Sequence, residues 1–252
     1  MYWKNALFEV YLQMKLKIYI VMKKLLLILF ITPFFAYGQN KYFNEKDIYQ
    51  IKLMLSLSKS EAELSSIQSV QEANNSFVNE VDTTKKVDIF INNNKEYISN
   101  LFLSMSRTSR DKIGYINSSC IPDIFRYNTS KVLIFDSFVY LSIFNNRMMD
   151  KNKQAKHIIE NAANPLYLKI ADIIDNRIPY IGLVVSYCDK DFGEKYKSEK
   201  GSAILIIAPS SAIKSFGEGQ ITESEFCRKC DYYLSDRDCF MCIKRIDSKI
   251  FE

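Results

Sequence analysis

Four of the six cysteines form two C-x2-C pairs near the C-terminus: Cys227-Arg228-Lys229-Cys230, then, eight residues on, Cys239-Phe240-Met241-Cys242. Such a set can give four thiolates to one tetrahedral zinc, close two disulfides, or exchange disulfides with a partner. Metal knuckles favour a tight turn after each pair, usually with glycine, and Asp231 and Ile243 stand there instead. The first pair also falls on a predicted helix, opened by the capping box Thr222-Glu223-Ser224-Glu225 and running to about Leu234. Sulfurs on one helix face cannot wrap an ion as a knuckle does. Disulfides are therefore the favoured expectation, as cross-pairs from Cys227 and Cys230 to Cys239 and Cys242 that tie down the tail. Zinc on these four is the alternative, and no other cofactor is expected.

A redox role has its own requirements. A C-x2-C at a helix N-terminus lowers one thiol pKa, and Arg228 and Lys229 would assist. Thioredoxin-like sites normally follow a strand and use a later cis-proline. Ile221 to Phe226 is a poor strand, and no proline follows Pro209. Cys120 and Cys188 remain as a second candidate disulfide, closing a long loop worth about 4 kcal/mol on the chain-entropy model. Free buried thiols are the plainer reading of that pair.

Other catalytic sets are thin. His157 is the single histidine, within what reads as an ordinary helix with a solvated face, and a triad needs a nucleophile and an orienting carboxylate around it. Three S-x-x-K matches, beginning at Ser56, Ser109 and Ser211, lack the accompanying S-D-N and K-T-G elements of penicillin-recognising enzymes. Asp189 and Asp191, beside a strand end, could bind a cation or move protons, but a solvated loop is the better expectation. Glycine is too scarce for a phosphate cradle; Gly217-Glu218-Gly219 is the nearest approach.

The elements that position these residues begin with an internal leader. Met22-Lys23-Lys24 precedes an apolar run of eleven residues, Leu25 to Phe35, and Ala36 and Gly38 supply small residues at −3 and −1. That order predicts a secretory signal peptide over 22–38, cut between Gly38 and Gln39, with 1–21 an upstream extension. The run is short of the ~20 residues of a spanning helix, so an uncleaved membrane anchor is the lesser alternative. The Lys-Lys head, the aromatic-rich core and the Gln-Asn after the cut resemble secretory leaders of the Bacteroidota.

Removing 1–38 takes away Lys4, Lys15, Lys17, Lys23 and Lys24 against Glu9, so the net charge drops from +5 to about +1. The basic field of a nucleic-acid binder goes with them. Trp3, the sole tryptophan, goes too, so a carbohydrate platform would have to use Tyr or Phe. The mature chain reads as a polar helical segment and linker, 39–86, followed by a globular domain, 87–252, with a Cys-rich C-terminus.

Periodicity fills in the elements. Ile48, Ile51 and Leu55, then Leu64, Ile67 and Val70, predict amphipathic helices. Tyr97, Ile98, Leu101, Phe102 and Met105 form a core stripe. Val132 to Phe135 suits a buried strand, and Phe138 to Phe144 could continue it or turn helical. Helices follow over Lys153–Ala163 and from Pro165, the second burying Leu168, Ile170, Ile173 and Ile174. Tyr180–Tyr187 and Ser202–Ala208 predict an antiparallel pair. The fold class is α+β: N-terminal amphipathic helices, a mainly helical middle, and a late antiparallel strand pair followed by a Cys-containing helix. The functional expectation is an exported, periplasmic or secreted, non-enzymatic binding module. Its partner would be a protein or cell-envelope component and not nucleic acid, with membrane contact only through an uncleaved leader. Thiol–disulfide chemistry and a zinc-held interaction module are the alternatives.

Overall fold

Asn44 opens the first helix of the described residues, its side-chain oxygen accepting from the backbone N–H of Asp47 at 2.8 Å. The computed structural model describes residues 43–64, 67–84, 87–108, 112–116, 121–145, 147–190, 200–235 and 242–251. The leader, the Gly38/Gln39 cut, Cys120, Asp191 and Cys239 lie outside the described residues. Helix α1 (Glu45–Leu64) buries Ile51, Met54 and Leu55, each worth about 1.5–3 kcal/mol of transfer free energy. A short strand β1 (Ile67–Gln68) leads to a reciprocal capping box between Ser69 and Glu72, which starts α2 (Val70–Thr83).

Asp88 caps the single turn α3 (Ile89–Asn93), and Asn94 joins it to α4 (Lys95–Met105). All five residues of the expected apolar stripe on α4 are buried. Three strands follow: β2 (Ile113–Ile116), β3 (Asp123–Tyr127) and β4 (Ser130–Asn145). The middle of the chain is therefore not mainly helical, and Phe138–Phe144 continues the strand. β-Branched and aromatic residues there pack better on a pleated surface than in a helical turn. Asn128, at φ 53°, makes the tight β3–β4 turn in a left-handed conformation that Asn tolerates.

The crossover from β4 runs through α5 (Lys151–Ile158), a π turn at Ile159–Ala163, and α6 (Asn164–Ile170). The wide turn comes just before Pro165, which has no N–H to give the helical ladder. The buried face of α6 is Leu166, Tyr167 and Ile170, with Ile174 beyond it; Leu168 is 43% exposed, against the expectation. The Tyr167 hydroxyl reaches the carbonyls of Ile181 and Ile206 at 3.1 and 2.9 Å, pinning α6 to the sheet.

Strands β5 (Tyr180–Lys190) and β6 (Lys200–Pro209) form the expected antiparallel pair, in unbroken register from Tyr180↔Pro209 to Asp189↔Lys200. Then come α7 (Ser210–Gly217), α8 (Glu223–Lys229), β7 (Asp231–Ser235), β8 (Ile243–Ile246) and a 3-10 turn at Ser248–Phe251. The Thr222–Glu225 capping box is present, but α8 stops at Lys229 and not near Leu234. Cys230 turns extended, and Tyr232, Tyr233 and Leu234 pair with Ile206, Leu205 and Ile204. Pairing with a central apolar strand outweighs helix continuation.

The protein thus contains both helices and a mixed sheet, ordered β1-β2-β4-β5-β6-β7-β8, with β3 also paired to β4. Among the described strands only β4 and β5 pair in parallel. Side chains alternate between two cores. Ile204, Ile206 and Ala208 join the larger core with α2 and α4–α8, while Ala203, Leu205 and Ile207 join the smaller one under α1. A register shift in β4 between Phe135 and Phe138 keeps both on the larger core. The described residues fall in one compact unit.

Candidate functional site

Cys227 lies in the last turn of α8 and Cys230 just past its end, 1% and 5% exposed. Both are free thiols, and Cys188 is not disulfide-bonded. Asn164 Nδ2 donates to Cys227 Sγ at 3.4 Å, and Cys230 Sγ donates to the Phe226 carbonyl at 3.4 Å. The sulfurs face the core, so the expected cross-links from this helix to the tail are not made. Cys242 is disulfide-bonded, to none of these three. The redox expectation also had the helix end reversed: the pair sits at a C-terminus, where the dipole disfavours a thiolate. Burial pushes both thiols above their ordinary value. Among the described residues no three His, Cys, Asp or Glu side chains are gathered around a point that could hold an ion.

A second cluster sits at the carboxyl ends of the parallel strands β4 and β5. Asp189, expected in a solvated loop, is fully buried. Lys151 Nζ, at the start of α5, donates to it and to Ser202 Oγ at 3.2 Å. Ser202 in turn donates to Asp189 at 3.1 Å. Register explains the burial: Asp189 follows Tyr187 on the face that packs under the crossover helix. Serine, carboxylate and lysine would make a nucleophilic set if open, but Ser202 and Asp189 are 0% exposed. No substrate reaches them, and the set holds α5 to the sheet. His157 faces Tyr140, ring nitrogen to hydroxyl 3.0 Å, and packs edge-on to Phe144. That ring contact is to a phenol, not to a nucleophile with an orienting carboxylate.

An open polar site lies elsewhere. A groove of about 600 Å³ runs along α4, walled on the far side by Ile173 and Arg177. Its polar lining includes Asn93, Asn94, Glu96, Asn100, Ser104 and Arg107. Glu96, Asn100 and Ser104 recur at four-residue steps on one face of α4, over about 12 Å, with Asn93 and Asn94 before the helix and Arg107 after it. Arg177 is held in place before any ligand arrives. Its Nε donates to Asp175 Oδ2 at 2.7 Å, its Nη2 lies 2.6 Å from the same oxygen, and its guanidinium stacks 3.9 Å from the Tyr97 ring centroid. Hydrogen bonding from Arg177 lowers the Asp175 pKa, and burial raises that of Tyr97.

Sequence reasoning missed this groove because a polar helical stripe reads as a solvated face. The available signal was the run of asparagines at one end of an otherwise apolar helix. No family model, no curated protein and no solved structure matches the chain.

Proposed function

We propose that the chain is an exported protein whose mature body works as a binding module, with the α4 groove as its ligand site. The observation that carries this reading is Arg177, clamped by Asp175 and Tyr97 at the rim of an open polar groove. A long cationic side chain ordinarily loses rotamer freedom on binding, and here that cost is already met by the fold. The leader over 22–38 supports export. What favours binding over thiol exchange is the inward-facing position of Cys227 and Cys230 at a helix C-terminus.

Two-dimensional NMR of protein 39–252 tests the reading. Titration with neutral oligosaccharides, acidic peptides and basic peptides should move side-chain amide signals of Asn93 and Asn100 with at least one class. If every class leaves them unmoved while the protein exchanges disulfides with a dithiol substrate, in a manner lost in Cys227→Ser, the thiol–disulfide alternative replaces it.

A further inference from the structure

Resting on the groove as the ligand site, we infer that it takes a neutral, hydroxyl-rich ligand: an oligosaccharide chain laid along α4. Charge is the first reason. Arg107 and Arg177 are matched by Glu96 and by Asp175, which grips Arg177. With no net charge, the groove has no Coulombic preference for an acidic or basic polymer.

Hydrogen-bond chemistry is the second. A hydroxyl both donates and accepts, and so does a carboxamide. Asn93 offers that pairing at the end of α3 and Asn100 on α4, with Ser104, 8% exposed, one turn beyond Asn100. The amide of Asn94 is already engaged: its nitrogen donates to the Phe90 carbonyl at 2.9 Å, and its oxygen lies 3.5 Å from Arg177 Nη1. The guanidinium of Arg177, fixed on one edge by Asp175, keeps further N–H groups for a pair of neighbouring hydroxyls.

Size and lining are the third. The volume of about 600 Å³ lies within the ordinary range of ligand sites. Leu103 and Ile173 give apolar ground for the C–H faces of sugar rings. Tyr97 does not act as a stacking platform, because it is 6% exposed beneath Arg177. Recognition here runs through hydrogen bonds and not through aromatic stacking.

Calorimetry of protein 39–252 with neutral chito-, cello- and manno-oligosaccharides tests the inference. At least one should bind with a Kd that stays within about twofold between low and high salt, since no ion pair is formed. Asn100→Ala should weaken it about fivefold, the size of one hydrogen bond, with no change in melting temperature. Arg177→Lys should weaken it further, because an ammonium cannot keep the fork on Tyr97. Absence of binding by all three sugar classes would overturn the inference, as would a Kd indifferent to Asn100→Ala. A charged peptide bound in the groove, with a steep loss of affinity in salt, would overturn the sugar class and leave the binding-module reading standing. Silence from sugars and peptides alike would remove both.

Discussion

Lys151 reaches a carboxylate that water does not. Its side chain is 36% exposed while Asp189 is fully buried, so the pair costs desolvation mainly at the acid. Lys151→Met should lower stability by about 2–3 kcal/mol; the hydrogen bond from Ser202 keeps it below the full cost of an unpaired buried charge. Adding Asp189→Leu to that variant should recover most of the loss in denaturant melts. No recovery would mean that Lys151 acts through its packing on Tyr187. The buried thiols make a second prediction at this scale. Cys227, Cys230, Tyr167 and Tyr232 ionise above their ordinary values because burial penalises the charged form. The folded state therefore holds these protons more tightly than the unfolded chain. Their contribution is complete below the unfolded values, 9.0 for the thiols and 10.0 for the phenols, and fades as pH rises toward the folded ones. Denaturant midpoints should be level near neutrality and fall above about pH 9. Cys230→Ala should make that fall shallower, and Cys227→Ala with Cys230→Ala should delay it toward the tyrosine range; an unchanged onset in the double variant would show that the thiols are not responsible.

At the scale of elements, α7 meets the end of α6 with no room to spare. A Cβ added at Gly217 would lie 2.2 Å from Ala171 Cβ, and neither atom can rotate away. Gly217→Ala should cost about 1–3 kcal/mol, and Ala171→Gly in the same chain should return it. If thermal melts show no loss, the two helices have more freedom than their packing indicates. The same elements show what the sequence could reveal. The α4 stripe, the β5–β6 pair and the Thr222 capping box were legible because each is set by neighbours a few residues away. The end of α8 was not: no Gly or Pro after Lys229 marks a stop, and Tyr232-Tyr233-Leu234 becomes a strand through pairing with Ile204–Ile206. Asp189 failed for a similar reason. Its burial comes from Lys151 and the crossover helix, which no spacing near residue 189 announces. Leu168 was misplaced by one position, since the stripe on α6 is set by Tyr167 reaching across β5 and β6. The groove on α4 carries no motif, because asparagine amides become a site only when an opposing wall, Ile173 and Arg177, is brought to them.

For the whole molecule, the leader and the charge balance lead to direct measurements. Intact-mass analysis of envelope material should find a chain beginning at Gln39; mostly recovering a species that keeps Leu25–Phe35 would favour the membrane-anchor alternative. Protein 39–252 should not bind DNA or RNA at physiological salt, and micromolar affinity with a steep salt slope in fluorescence anisotropy would show that net charge was the wrong guide. Helix α1 has a consequence of a different kind. It is made early, yet its seat is built from Val184, Leu205 and Tyr233, which are among the last parts of the chain to exist. During vectorial synthesis Ile51, Met54 and Leu55 therefore emerge with nothing to rest on, and a nascent chain cannot close around α1. Under the proposed export, this late closure keeps the chain threadable until the final strands have been made.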